Sequence, residues 1–132
     1  MTVLVGFVPN PLGEAALTAA VAEARRRDEP LLVVNMSRDD VLVDARRAGN
    51  EQLDLVRRDL EDLGLEFEVR RVEEGGDAAQ VILDVAESDG ASVIVIGLRH
   101  RSPVGKLLLG SAAQRILLDA TCQVLAVKES RA

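Results

Sequence analysis

The stretch from Gly97 to Ser111, GLRHRSPVGKLLLGS, gathers the residues whose types and spacing best suit chemistry. It carries Arg99, Arg101, Lys106 and the chain's only histidine, His100, and it holds no carboxylate, although the whole chain has a formal net charge of −6. Gly97 permits a sharp bend and a close approach of backbone N–H groups to a ligand. Gly110-Ser111 reads as a helix start with Ser111 as the cap, and the free N–H groups and dipole of such a start favour an anion. The basic side chains between these ends add attraction, so the chemistry that the stretch suits is phosphate binding. Arg99 and Arg101 fit a solvated loop face equally well. Nothing pairs His100 with a carboxylate and a nucleophile in the way that general-base catalysis requires. Ser102-Pro103 can open a short helical turn, which Gly105 weakens.

Regular alternation of strand and helix positions this stretch. Thr2–Phe7 (TVLVGF) is a short apolar run and reads as a buried strand. Asn10 can cap the next helix with Pro11 at its first position, and Leu17, Val21 and Ala24 recur at helical spacing. PLLVVNM is a second buried strand. A charged segment from about Asp40 to Leu63 follows, with Leu53, Val56, Leu60 and Leu63 on one face and Gly64 as a stop. Asp39, Asp40 and Asp44 suit the positive end of that helix. Glu66–Val72 (EFEVRRV) alternates charged and apolar residues, as an edge strand does. Asp77 and Gln80 form a capping-box pattern, Ile82, Val85 and Ala86 make an inward stripe, and Gly90 ends the helix. SVIVIG is the most apolar strand. Ser111 and Gln114 repeat the box, and Gln123–Lys128 (QVLAVK) is the last strand before a four-residue tail.

The order β-α-β-α-β-α-β-α-β implies an α/β domain, a parallel sheet covered by helices on both faces with right-handed crossovers. Ligands in such folds bind at the carboxyl ends of strands where the strand order reverses, here expected between the first and fourth strands. Gly97 lies at the end of the fourth strand.

Composition excludes several functions. A chain of 132 residues suits one domain, and the residues from 1 to 132 are expected to form it. No apolar run approaches the ~20 residues of a membrane span, and the N-terminus reads as a first strand without the basic region of a signal peptide. The acidic balance and the near absence of aromatic residues (Phe7 and Phe67 only) argue against nucleic acid. With one histidine and one cysteine, Cys122, zinc has no ligand set and the cysteine no internal disulfide partner. Cys122 reads as a small buried apolar residue, and the default compartment is the cytoplasm.

The chain resembles the universal stress protein family. Its nucleotide-binding members carry G-x2-G-x9-G-[S/T] after the fourth strand. Gly97 and Gly110-Ser111 stand at the first and last positions of that motif, and His100 occupies the place of the middle glycine. VLVGFVPNPLGEAALTAAVAEAR is similar to the family's first strand and helix, GDAAQVILDVAESDGASVIVIG to its third helix and fourth strand, and LLLGSAAQRILLDATCQVLAVK to its close. Two departures stand out. Val8 occupies the place of an aspartate that contacts adenosine in nucleotide-binding members, and Asn35 stands where many members carry histidine.

The resemblance implies a Rossmann-like three-layer sandwich with a five-stranded parallel sheet of order 3-2-1-4-5 and four helices. It implies ATP, ADP or AMP across the ends of the first and fourth strands, with magnesium left open. Ile96, Gly97, Arg99, His100, Gly110, Ser111 and Ala112 would surround the phosphates, while Phe7, Val8, Pro9, Val34, Asn35 and Met36 would flank base and ribose. Val8 and His100 keep open an alternative, a nucleotide-independent stress protein that works as a dimeric interaction module. ATP hydrolysis or adenylyl transfer is a third reading, without the SGGxDS or HxGH motifs that enzymes of this fold use. The uncovered edge of Gln123–Lys128 implies a homodimer, as in the family.

Overall fold

A computed structural model describes residues 1–8, 11–35, 43–71, 77–98 and 110–128. Five strands, β1 (Thr2–Phe7), β2 (Leu31–Asn35), β3 (Phe67–Arg71), β4 (Ala91–Leu98) and β5 (Gln123–Lys128), alternate with four helices, α1 (Pro11–Arg27), α2 (Val43–Asp62), α3 (Ala78–Ser88) and α4 (Ser111–Asp119). The sheet order is β3-β2-β1-β4-β5, and all four pairings are parallel. The expected order and helix count are those observed.

Strand parity sorts the core into two layers, because successive side chains leave a strand on opposite faces. Val3, Val5, Phe7, Leu31, Val33, Val93 and Val95 pack with α1 and α2. Leu4, Leu32, Val34, Ile94, Ile96 and Leu98 pack with α3 and α4. The central strands are therefore apolar on both faces, as a sheet covered on two sides demands.

The inward stripe of α1 differs from the expected one. Gly13, Ala16, Ala20 and Ala24 are the buried residues, while Leu17 and Val21 lie at the margin. Small side chains at this spacing let the helix axis sit close over β1 and β4. On α2, Leu53, Val56 and Leu60 are buried as expected, but Leu63 is exposed. The helix stops at Asp62, and the turn into Gly64, whose φ is +68°, carries Leu63 away from the core. Gly90 ends the α3–β4 turn in the same left-handed conformation, with φ +65°.

The two edge strands differ. On β3, Arg70 donates two hydrogen bonds to the Asp89 carboxylate at the end of α3, at 2.8 and 2.9 Å, and also pairs with Glu68. That charge blunts the edge. β5 carries half-buried Val124, Leu125 and Val127 and a single charged residue, Lys128. Arg27 on α1 anchors the start of β5 by donating to the Gln123 side chain at 2.8 Å.

Candidate functional site at the carboxyl edge of the sheet

The carboxyl ends of β1 and β4 lie side by side, since the register Val5↔Val95 carries Phe7 to the level of Gly97. Helix α1 starts from this edge on one face, and α4 starts from it on the other. The crevice between strands whose crossovers run in opposite directions is therefore present.

Two close approaches fix the α1 wall. A Cβ placed on Gly13 would fall 1.7 Å from the Val8 carbonyl oxygen. Only glycine allows the first turn of α1 to lie against the backbone that leaves β1. A Cβ on Gly97 would fall 2.7 Å from Leu12 Cγ. Gly97 thus has a packing role: it lies within β4, opposite Val127, and makes room for Leu12.

The α4 wall is open. Gly110, with φ −60° and ψ 153°, is the N-cap, and its carbonyl accepts the Gln114 amide at 3.0 Å. Ser111 is therefore the first helical residue, one place later than a capping box requires. The physical reason is that Gly110 takes the extended backbone that the cap position needs. Having no side chain, it makes no capping bond, and the first amides of α4 keep their capacity for an outside acceptor. Gly110 and Ser111 are exposed, and among the described residues nothing lies within 4 Å of a Cβ built at Gly110.

The expected site residues fall into three groups. Val8, Gly97, Gly110, Ser111 and Ala112 reach the surface at this edge wholly or in part. Phe7, Val34 and Ile96 are buried in the core, and Asn35 is the one polar residue among the buried described residues, 7% exposed at the end of β2 beside Phe7. Pro9, Met36, Arg99 and His100 lie outside the described residues, as do Arg101, Lys106 and the Ser102-Pro103 turn. The described members of the site carry no titratable side chain, so what they supply is hydrogen bonding, a helix dipole and shape. Among the described residues no group of three His, Cys, Asp or Glu side chains is placed to hold a metal, and no helix is long and apolar enough to cross a membrane.

Asp77 caps α3 as expected, its carboxylate accepting the Ala79 amide at 3.1 Å. Its partner in the box does not reach back. Gln80 instead donates to Asp84 at 2.8 Å and accepts from Arg115 on α4. Burial pushes the half-buried Cys122 thiol up, which leaves it protonated and inert near neutrality. Gly13 seats the α1 wall and Arg115 joins α4 to α3, yet neither residue type forms a recognisable chemical motif. The available signals were a glycine placed inside a helix, and the four-residue spacing of Ser111 and Arg115.

These features define a small doubly wound α/β domain with an anion-ready helix start at its strand-order reversal. Comparison with known proteins narrows this class. The model of the universal stress protein family matches residues 1–128. A universal stress protein from Mycolicibacterium smegmatis is 47% identical over 126 residues, covering 96% of each chain. A solved universal stress protein from Archaeoglobus fulgidus superposes with a TM-score of 0.80 at 30% identity, covering 97% of this chain and 98% of its own. A second structure from that organism, in complex with dAMP, has a TM-score of 0.70 at 26% identity, with the same coverage of both chains. The chain belongs to the universal stress protein family.

Proposed function

We propose that this protein binds an adenine nucleotide, ATP, ADP or AMP, at the carboxyl ends of β1 and β4. The observation that carries this reading is the uncapped start of α4 at Gly110-Ser111, beside the end of β4. Its first amides have no side-chain cap among the described residues, and a phosphate oxygen would supply an acceptor. The dAMP complex of the Archaeoglobus fulgidus relative supports the choice of ligand. The basic residues Arg99, Arg101 and Lys106, joined in sequence to both ends of the site, suit the phosphate charge. The role is regulatory, in a stress response in the cytoplasm: a nucleotide that prefers one arrangement of the site biases the protein toward it, with no bond made or broken.

The test is calorimetric titration with ATP and AMP, with and without magnesium, beside thermal melts. Heat of binding and a raised melting temperature are expected, since a ligand of the folded state stabilises it by mass action. No heat at millimolar ligand and an unchanged melt would overturn the reading. The chain has no Trp or Tyr, so co-purified adenine is easily seen in ultraviolet absorbance.

Val8 favours a second reading, a nucleotide-independent dimeric module. It is 36% exposed at the end of β1 and offers no side-chain acceptor to a ribose or base. Both readings share a homodimer through β5, whose half-buried Val124, Leu125 and Val127 lie on an edge strand that carries little charge. A monomeric mass in light scattering would contradict that assembly.

A further inference from the structure

We propose that Arg115 is a positioning residue for the phosphate site: it clamps α4 to the start of α3 and thereby holds the α4 amides in the direction that receives a phosphate. The proposal rests on the nucleotide reading above. Helix α4 has nine residues, its cap is a glycine without a capping bond, and Ile116 is its one fully buried side chain. A helix so short is marginal by itself, so its orientation must come from tertiary contacts. Arg115 stands one turn after Ser111 on the same face, and long helical side chains lean toward the N-terminus. Its guanidinium donates to the Asp77 carboxylate and to the Gln80 side-chain oxygen, and its Nε lies 3.7 Å from Asp119.

Asp77 is also the N-cap of α3, so one carboxylate serves the start of α3 and the middle of α4. A planar fork held by two acceptors on one partner helix fixes direction as well as distance. The Arg115 side chain is 39% exposed, and that of Asp77 58%. Pairs so exposed contribute little to global stability. The effect of the clamp is therefore local, on the first turn of α4.

The experiment uses the full chain, with Arg115→Met, Arg115→Lys, Asp77→Asn and the Arg115→Met/Asp77→Asn double variant, and two readouts. The first is hydrogen exchange without ligand. The Gln114 amide, which donates to Gly110, is expected to exchange about tenfold faster in Arg115→Met, while the strand amides keep their protection. The second compares Kd for adenosine, AMP and ATP. Losing the fork is expected to weaken AMP and ATP about tenfold and adenosine less than about twofold. Arg115→Lys should recover part of the loss, and the double variant should be no worse than Arg115→Met.

Unchanged exchange at Gln114 overturns the proposal, as does equal weakening of all three ligands, which is what a merely structural role would produce. Wild-type protein that binds none of the three, with Gln114 loosened in the variant, overturns the nucleotide reading and the phosphate half of this proposal and supports the clamp itself. If Arg115→Met fails to fold, Arg115→Lys and Asp77→Asn carry the same two readouts.

Discussion

Gly13→Ala tests whether α1 is seated against the end of β1 as tightly as its geometry requires. In an ordinary helix interior the change would help, by about 1 kcal/mol, because alanine is the better helix former. Here the new Cβ would lie 1.7 Å from the Val8 carbonyl oxygen, 2.7 Å from its carbonyl carbon and 2.8 Å from its nitrogen. All three atoms are backbone, so no side-chain rotation relieves the clash, and either β1 or α1 must shift. Overpacking costs about 1–3 kcal/mol, and a backbone clash belongs at the upper end of that range. Subtracting the propensity gain leaves a net loss of about 2 kcal/mol. In a chain of 132 residues that corresponds to a melting temperature lowered by about 8 °C. The assay is thermal unfolding by far-UV circular dichroism, because the chain has no Trp or Tyr to report by fluorescence. Gly110→Ala is the internal control: among the described residues nothing lies within 4 Å of its Cβ, and its expected cost is under about 1 kcal/mol, from the N-cap preference. A Gly13→Ala protein that melts at or above the wild type would refute the close seating of α1.

Three further outcomes are expected. Gly97→Ala should cost about 1 kcal/mol, less than Gly13→Ala, because the nearest atoms belong to the Leu12 side chain, which can give way; urea titration compares the two. Ile82→Ala, at a fully buried position on the inward face of α3, should cost about 2–5 kcal/mol in the same titration. Hydrogen bonds from Arg70 hold the Asp89 carboxyl below its ordinary value, against the opposing pull of burial. Its folded pKa is thus below the unfolded value near ~3.9, so the pair's stabilisation is present above that pH and is lost as pH falls through the folded pKa. Wild type should lose stability more steeply than Asp89→Asn on acidification from about pH 5 to about pH 3; parallel curves would show that the pair contributes nothing.

The layers were legible because a sheet covered on both faces forces runs such as SVIVIG and LLVV, and little else produces them, whereas the strand order was implied by the resemblance to the universal stress protein family. The edge strands were legible from the contrast between EFEVRRV and QVLAVK. What escaped depends on distances between elements. The alanines at 16, 20 and 24 form the packing stripe of α1, yet hydrophobic periodicity gives weight to large residues and so favoured Leu17 and Val21. Ser111 looks like a cap because hydroxyl side chains prefer that place. The helix begins there instead, because Gly110 supplies the extended backbone one residue earlier. Gln80 fits a capping box by spacing, but the guanidinium of Arg115 competes for its oxygen, and no local pattern announces a partner from another helix.

The two walls of the crevice are therefore held by different physics. The α1 wall rests on backbone contact: Gly13 against Val8 and Gly97 under Leu12, both inside van der Waals range of any added atom. Such contacts are stiff, because packed interiors resist small displacements. The α4 wall rests on a half-exposed guanidinium, one carboxylate and one amide oxygen, with Ile116 as its apolar anchor. Charge-assisted contacts at the surface are soft, and salt screens them. A ligand bridging the two walls meets a fixed floor beside β1 and an adjustable rim at Gly110-Ser111. Raising the ionic strength should loosen the rim, measured as faster exchange at Gln114, and leave the α1 wall unchanged. Unchanged exchange at Gln114 as salt rises would mean that α4 is held by packing alone.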